Sequence, residues 1–411
     1  MRLGHPRAPY LAYEMNVHPS ESLAEFRDAL RRFTVPVRDR LREQNAGSEF
    51  AISPRFGEGL LHDLRNKRAR SELATELREL QFVPISVNAF PLENFHADTV
   101  KSRAYSPPWT RKARVKRTNE AIDLLHELLP EETRGSVSTL GGTYRPWRDG
   151  RATHHKIAGN YLETVAHAIQ LYLKTGRKIV LAAEPEPDTT FETAADVVQM
   201  VDEHLLPQLR ECIARPLMIT PARAEELFRE FFTVNLDVCH QSVLFRDPVD
   251  EWQLLDRHGI RVGKLHITSA IVLRRPGRSP AAVAELRDYD EPRYLHQFAA
   301  RHKSGTLVRG SDLGELPTEG LRDLEEVRVH FHVPVSRAKI GKLTTTRDDT
   351  ERAIHHALRQ SDPPDLVIET YTWPLLAKTG DKAIVDGICR EFRWAASVID
   401  GVTHGPRVAA R

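Results

Sequence analysis

Cysteine is scarce in this chain of 411 residues, which has three thiols, Cys212, Cys239 and Cys389. An odd number without paired spacing gives no disulfide framework and fits a reducing compartment. A surplus of charge of one sign is lacking too. The 59 basic and 57 acidic residues leave a net +2, too balanced for the footprint of a nucleic-acid binder. No apolar run approaches the roughly 18 residues that a membrane-spanning helix requires. The opening MRLGHPRAPYLAYEMNVHP has no apolar core, since Pro6, Pro9 and charged residues interrupt it, so no secretion signal is read there. A cytoplasmic protein without membrane insertion or a nucleic-acid partner is expected. GxxxxGK(S/T), a credible dinucleotide fingerprint, HExxH and GxSxG are absent as well. Gly141-Gly142 alone is too weak to name a phosphate loop. The overall composition, 40% hydrophobic and 28% charged, is that of an ordinary globular chain.

What is present is an alternation. Short β-rich runs recur between longer stretches with helical periodicity, the pattern of a parallel sheet with crossover helices. The strand candidates are Ala12–His18, Phe50–Phe56, Val83–Phe90, Gly135–Leu140, Lys178–Glu184, Phe232–His240, Val262–Ser269, Val327–Val335 and Leu366–Tyr371. Helices are expected over Ser22–Arg42, with Ser20 or Ser22 as cap, and over Ala158–Thr175, stopped by Gly176. Thr190–Arg210 and Thr346–Arg359 read similarly. Nine candidates exceed the eight strands of a (β/α)8 TIM barrel. The long stretch Val272–Glu326 is therefore read as an inserted β-hairpin after strand seven, with VRVHFHVPV in the insertion or at the rim. In the alternative, VRVHFHVPV is a barrel strand and an earlier assignment is wrong. The expectation is an α/β fold with one TIM-barrel domain over 1–411, a barrel core at about 10–375, the insertion at about 272–326, and a C-terminal helix and tail at about 376–411.

In such barrels the C-terminal strand ends line the active site. Strand five runs into Glu184, strand six into Asp237 and then His240, strand seven into His266, and strand eight into Glu369. One isolated carboxylate after a strand is usually a solvated loop residue. Four consecutive ends converging on one mouth would repel, and a divalent cation resolves that, with Mn, Zn, Co or Fe suited to the mixed donors. Glu184 competes with Glu186, because both share a face of an extended AEPEP, and Glu184 is favoured for directly following the apolar run. His330 and His332 share a face if extended, and could chelate a metal or pack. His18 and His96 end or follow strands and are candidates for ligand or substrate contact. Lys264, on the face of His266, could meet an anionic group or compensate carboxylates; Arg55 and Asn88 are further polar candidates. Trp109 and Trp373 wall the pocket or pack in the core. Cys239 reads as packing, and the pairs His154-His155 and His355-His356 as surface or capping residues.

These strand ends resemble those of the xylose isomerase-like barrel superfamily, which includes ketose 3-epimerases, sugar-phosphate isomerases and endonuclease-IV-type phosphodiesterases. More narrowly, MNVHP, VNAFPLENFH…VKSRAYSPPW, AEPEP, DVCHQS, KLHITSA, YLHQF, VHFHVPV and IETYTW resemble EboE-type metabolite traffic proteins, over roughly residues 10 to 375. The resemblance implies a metal set of Glu184, Asp237, His266 and Glu369, with His240 at the substrate or metal. It implies that Glu184 and Glu369 pass a proton off and onto a carbon beside a carbonyl. His330 and His332 stand where the endonuclease-IV type has an Asp-x-His pair. With His18 and His96 they could raise the count from one ion to three, of Mn, Zn, Co, Mg or Fe. The implied function is a metal-dependent isomerase or epimerase of a sugar, sugar phosphate or cyclitol in a specialised-metabolite pathway. Alternatives are a multinuclear phosphoesterase or iron oxidase, and a non-catalytic metabolite carrier. Other proteins of its gene cluster are the implied partners, and the chain is expected to be a monomer or homodimer.

Overall fold

Eight short parallel strands, all but one of them wholly buried, form the centre of the computed structural model. It describes residues 9–42, 49–131, 133–376 and 380–404. In chain order the barrel strands are Leu11–Tyr13, Phe50–Ile52, a third in two segments (Phe82–Pro84 and Ser86–Asn88), Gly135–Leu140, Ile179–Glu184, Phe232–Asp237, Arg261–Ile267 and Asp365–Ile368. The first pairs with the eighth, and strands three to eight follow one another. The second strand closes the ring. It pairs with the third through Phe50 and Phe82, and bridges join Glu14 to Ser53 and Arg55 to Asn88. Such a closed parallel ring with crossover helices is the TIM-barrel architecture.

Several expected strands end early, and chemistry explains where. The first stops at Tyr13 and turns into a 3-10 segment, Met15–Val17, so His18 is not a strand end. The sixth stops at Asp237 because that side chain caps the helix Val238–Val243, accepting from His240 N at 3.0 Å. Of the two cap candidates at the first helix, Ser22 acts, in a capping box with Glu25. Gly176 ends the helix Arg151–Thr175 in a left-handed conformation, φ 75°, its N–H bonded to Tyr172 O.

The insertion is larger than the expected hairpin. Leu307–Gly310, Phe298–His302, Leu324–Val329, Ile271–Arg274, Leu343–Thr345 and Lys339–Ile340 lie side by side, in that order, in a six-stranded antiparallel sheet. Phe298–His302 and Leu307–Gly310 are one hairpin within it. The sheet has its own apolar cluster, with Leu273, Leu286, Phe298, Val327 and Phe331 buried. VRVHFHVPV is a strand only to Val329, so His330 and His332 sit on the irregular segment that follows. The C-terminal helix spans Asp381–His404, and the expected tail beyond it lies outside the described residues. Among the described residues no helix is long and apolar enough to cross a membrane.

Candidate metal centre

The sheet register brings the strand-end groups together. Asp237 on strand six is the lateral partner of His266 on strand seven, and Val367 on strand eight is the other neighbour of His266. Glu369 follows two residues after Val367 on the same side, and Glu184 ends strand five beside Leu140. His266 Nδ1 then lies 3.3 Å from Glu184 Oε1, 3.2 Å from Asp237 Oδ2 and 3.1 Å from Glu369 Oε2. One donor atom from each of the four falls within 4.8 Å of the others, and all four side chains are buried. Three buried carboxylates around one imidazole demand positive charge. Without an ion the imidazole supplies it. Burial alone would lower the His266 pKa, but Glu369, Glu184 and Asp237 outweigh it and hold it well above the usual range. Glu184 Oε2 has no hydrogen-bond partner although buried, as an oxygen facing a cation seat would. The donor set fits a divalent metal.

The orientation of His266 comes from beneath. Its Nε2 lies 3.1 Å from Glu14 Oε2, which leaves Nδ1 for the carboxylates. Glu14 in turn accepts from Lys264 Nζ at 2.7 Å and from Ser53 Oγ at 3.0 Å, and both ionic side chains have no exposure. A carboxylate that fixes the outer nitrogen of a ligating histidine is a recurrent feature of metal sites. Asp237 is held in the same manner, by Thr268 Oγ1 at 2.7 Å and its own helix cap. Asn16 Nδ2 donates to Glu369 Oε1 at 2.7 Å.

Above this cluster lies a second one. His240, His330 and His332 come together with Glu186 and Asp237, in overlapping groups whose donor atoms also lie within 4.8 Å. His240 Nδ1 meets Pro185 O at 3.0 Å and His332 Nδ1 meets Glu369 O at 3.1 Å. Carbonyls only accept, so both Nδ1 atoms carry hydrogen. His330 Nδ1 meets Gln297 Oε1 at 2.7 Å; the Gln297 nitrogen is identified by its bonds to Tyr105 Oη at 2.7 Å and Pro187 O at 3.3 Å. His330 Nε2 and His332 Nε2 then face each other at 3.3 Å with lone pairs toward lone pairs, a contact that a cation relieves. Burial, reinforced by His240 and the neighbouring imidazole, keeps His330 well below its usual pKa. Burial likewise lowers His332. Both are neutral and ready to ligate. For His240 burial is outweighed by Asp237, Glu186 and Glu184, which raise it. Glu186 is pushed up to about 8, chiefly by burial.

Side chains of both clusters, here called the floor and the roof, line one cavity of about 60 Å³. Glu184, Glu369, His240, His330, His332 and Asn88 line it, as does Glu186, so the two competing glutamates each face the cavity in separate clusters. Four expected contacts lie elsewhere. Lys264 is below the floor, one pleat deeper than His266, and is spent on Glu14. Arg55 is buried as a clamp for Glu21 and the carbonyls of Pro91 and Glu93. His18 stacks on Phe33 with ring centroids 4.2 Å apart, and His96 sits beside Arg55 and Arg293; neither lines the cavity. Trp109 stacks on Tyr161 and Trp373 donates to Glu391, so both belong to the core. Glu14, Asn16, Tyr105 and Gln297 were not singled out from sequence. For Glu14 a signal existed, a carboxylate two residues after Ala12 on the inward face of a strand.

No family model matches the chain, and no curated protein matches it significantly in sequence. Solved structures do share its fold. A xylose isomerase-like TIM barrel protein from Mycobacterium smegmatis, solved in complex with magnesium, is 12% identical, with 96% of this chain and 97% of that one covered and a TM-score of 0.52. A xylose isomerase domain protein from Planctomyces limnophilus is 10% identical, covers 97% and 99%, and has a TM-score of 0.50. The fold is thus a TIM barrel shared with these two structures.

Proposed function

We propose that this chain is a divalent-metal-dependent isomerase or epimerase of a small polyhydroxy carbonyl compound, of the sugar or cyclitol type. One observation carries the reading: Glu184 and Glu369, from strands five and eight, meet at a single imidazole nitrogen, 3.3 and 3.1 Å away. Glu184, Asp237, His266 and Glu369 would hold the ion, and the magnesium bound by the Mycobacterium smegmatis barrel fits that donor set. When bound, the ion polarises a substrate carbonyl oxygen. Glu184 would accept a proton from the adjacent carbon. Glu369, oriented by Asn16, returns one. Incubating the metal-loaded chain in D2O with ketoses, their phosphates and cyclitol ketones tests this. Deuterium at the carbon beside the carbonyl is the expected result; no exchange with any of them overturns the reading.

A second reading rests on the roof. His330 and His332 turn their Nε2 atoms toward each other, and each groups with His240 and a carboxylate, Glu186 or Asp237; these would hold a second ion, which suits a multinuclear phosphoesterase or an iron oxidase. Elemental analysis beside a His330→Ala/His332→Ala variant separates the two. About one ion per chain, unchanged in the variant, supports the isomerase; two or three, reduced in the variant, support the multinuclear reading. The resemblance to EboE-type proteins favours a place in specialised-metabolite handling and keeps a carrier role in view, for which a bound metabolite without turnover is the signature.

A further inference from the structure

Much of the cavity wall beyond the two clusters is apolar. It includes Phe90, Phe95, Tyr294, Leu295 and Tyr371. Phe95, Tyr294 and Tyr371 pack mutually, with ring centroids 4.8 to 5.5 Å apart. Tyr371 also lies 4.7 Å from the His332 ring, so the aromatic wall reaches the metal end. The Tyr294 hydroxyl is committed to Phe95 O at 3.1 Å, which leaves its ring as the surface it offers.

Lysine and arginine charge that could receive an anionic substrate group is spent. Among the described lining residues Lys101 is the one Lys or Arg, and its Nζ lies 2.6 Å from Asp312 Oδ2 and donates to Glu291 O. Arg55 and Lys264 are buried on partners of their own. Gly141-Gly142 makes no anion cradle. A Cβ at Gly141 would come 2.5 Å from Glu184 O, and at Gly142 2.6 Å from Thr190, so these glycines allow close packing of the strand ends. Two carboxylates, Glu184 and Glu369, line the same space and repel a phosphate at short range.

Building on the hydroxycarbonyl reading above, we infer that the substrate is an uncharged hydroxycarbonyl compound bearing a ring-sized apolar group, and not a phosphate ester. The polar end meets the strand-end cluster and the apolar group lies on Phe95, Tyr294 and Tyr371. Titration calorimetry of the metal-loaded full chain with dihydroxyacetone, dihydroxyacetone phosphate and 2-hydroxyacetophenone tests it. The expected order places 2-hydroxyacetophenone at least about tenfold tighter than dihydroxyacetone, the scale of one buried aromatic contact, with the phosphate no tighter than dihydroxyacetone. Phe95→Ala, or Phe95→Leu if the first does not fold, should erase most of the aryl preference. Tightest binding of the phosphate, or equal binding of the aryl and plain ketones, overturns the inference and leaves the isomerase reading standing. Binding of none of the three overturns both.

Discussion

The floor of the cavity is built from carboxylates at barrel strand ends, its roof from imidazoles of which two are supplied by the segment after an inserted strand. On the floor, three buried carboxylates face one imidazole, which offsets only part of their charge, while underneath Glu14 and Lys264 neutralise each other. On the roof, His330 and His332 are neutral, and carbonyl oxygens fix which nitrogen is free. Both regions are arranged for a cation, but by different means. The floor needs an ion for charge balance. The roof has lone pairs that converge without one.

The contrast is sharpened most by removing the floor's proposed acid and base. Glu184→Gln and Glu369→Gln should each lower proton exchange into a responsive ketone by about 10²- to 10⁴-fold, the range of general acid–base catalysis, while ion content measured alongside is largely kept. Equal loss of ion and exchange would mean that these residues only hold the metal. A smaller effect comes from beneath the floor. Glu14→Gln should weaken ion affinity about 10- to 100-fold in chelator competition, as second-layer changes do, and leave the ions of the roof in place. Unchanged affinity would reduce Glu14 to a partner for Lys264.

The smallest effect lies outside both regions. His18 is buried on Phe33, and burial first, then His96 and Arg32, push its pKa down to about 3. The unfolded imidazole titrates near 6.5, so below that pH the unfolded chain binds more protons. Stability is present above about 6.5 and declines as pH falls toward 3. His18→Phe should flatten the fall of Tm between pH 7 and 5 by a few degrees, with ion content unaltered. A loss of ion would return His18 to the site.

How far the sequence spoke differed between the two regions for a physical reason. The strand period of two and the apolar run before each end put Glu184, Asp237, His266 and Glu369 on one rim. The same period set Lys264 on the face of His266, correctly, but depth in a barrel is not encoded by face. Two residues back along the strand is one layer lower, inside the ring, where Lys264 meets Glu14, Ser53 and Ser138. Arg55 failed similarly, because the carbonyls it clamps come from the loop at Pro91 and Glu93. The roof was legible as the His330-x-His332 pair, His240 after strand six and Glu186 as the rival of Glu184. Its geometry depends on Gln297 and Tyr105, which meet only once the inserted sheet has packed against the 90–105 loop region.

The most direct test of the central claim is ion content of the full chain, purified without chelator or immobilised nickel and then offered Mn, Co, Zn, Mg and Fe in turn. The account expects at least one tightly held ion per chain, lost in an Asp237→Ala/His266→Ala variant that keeps its fold by circular dichroism. A folded wild-type chain that holds no ion, or a variant that holds as many as the wild type, would contradict it.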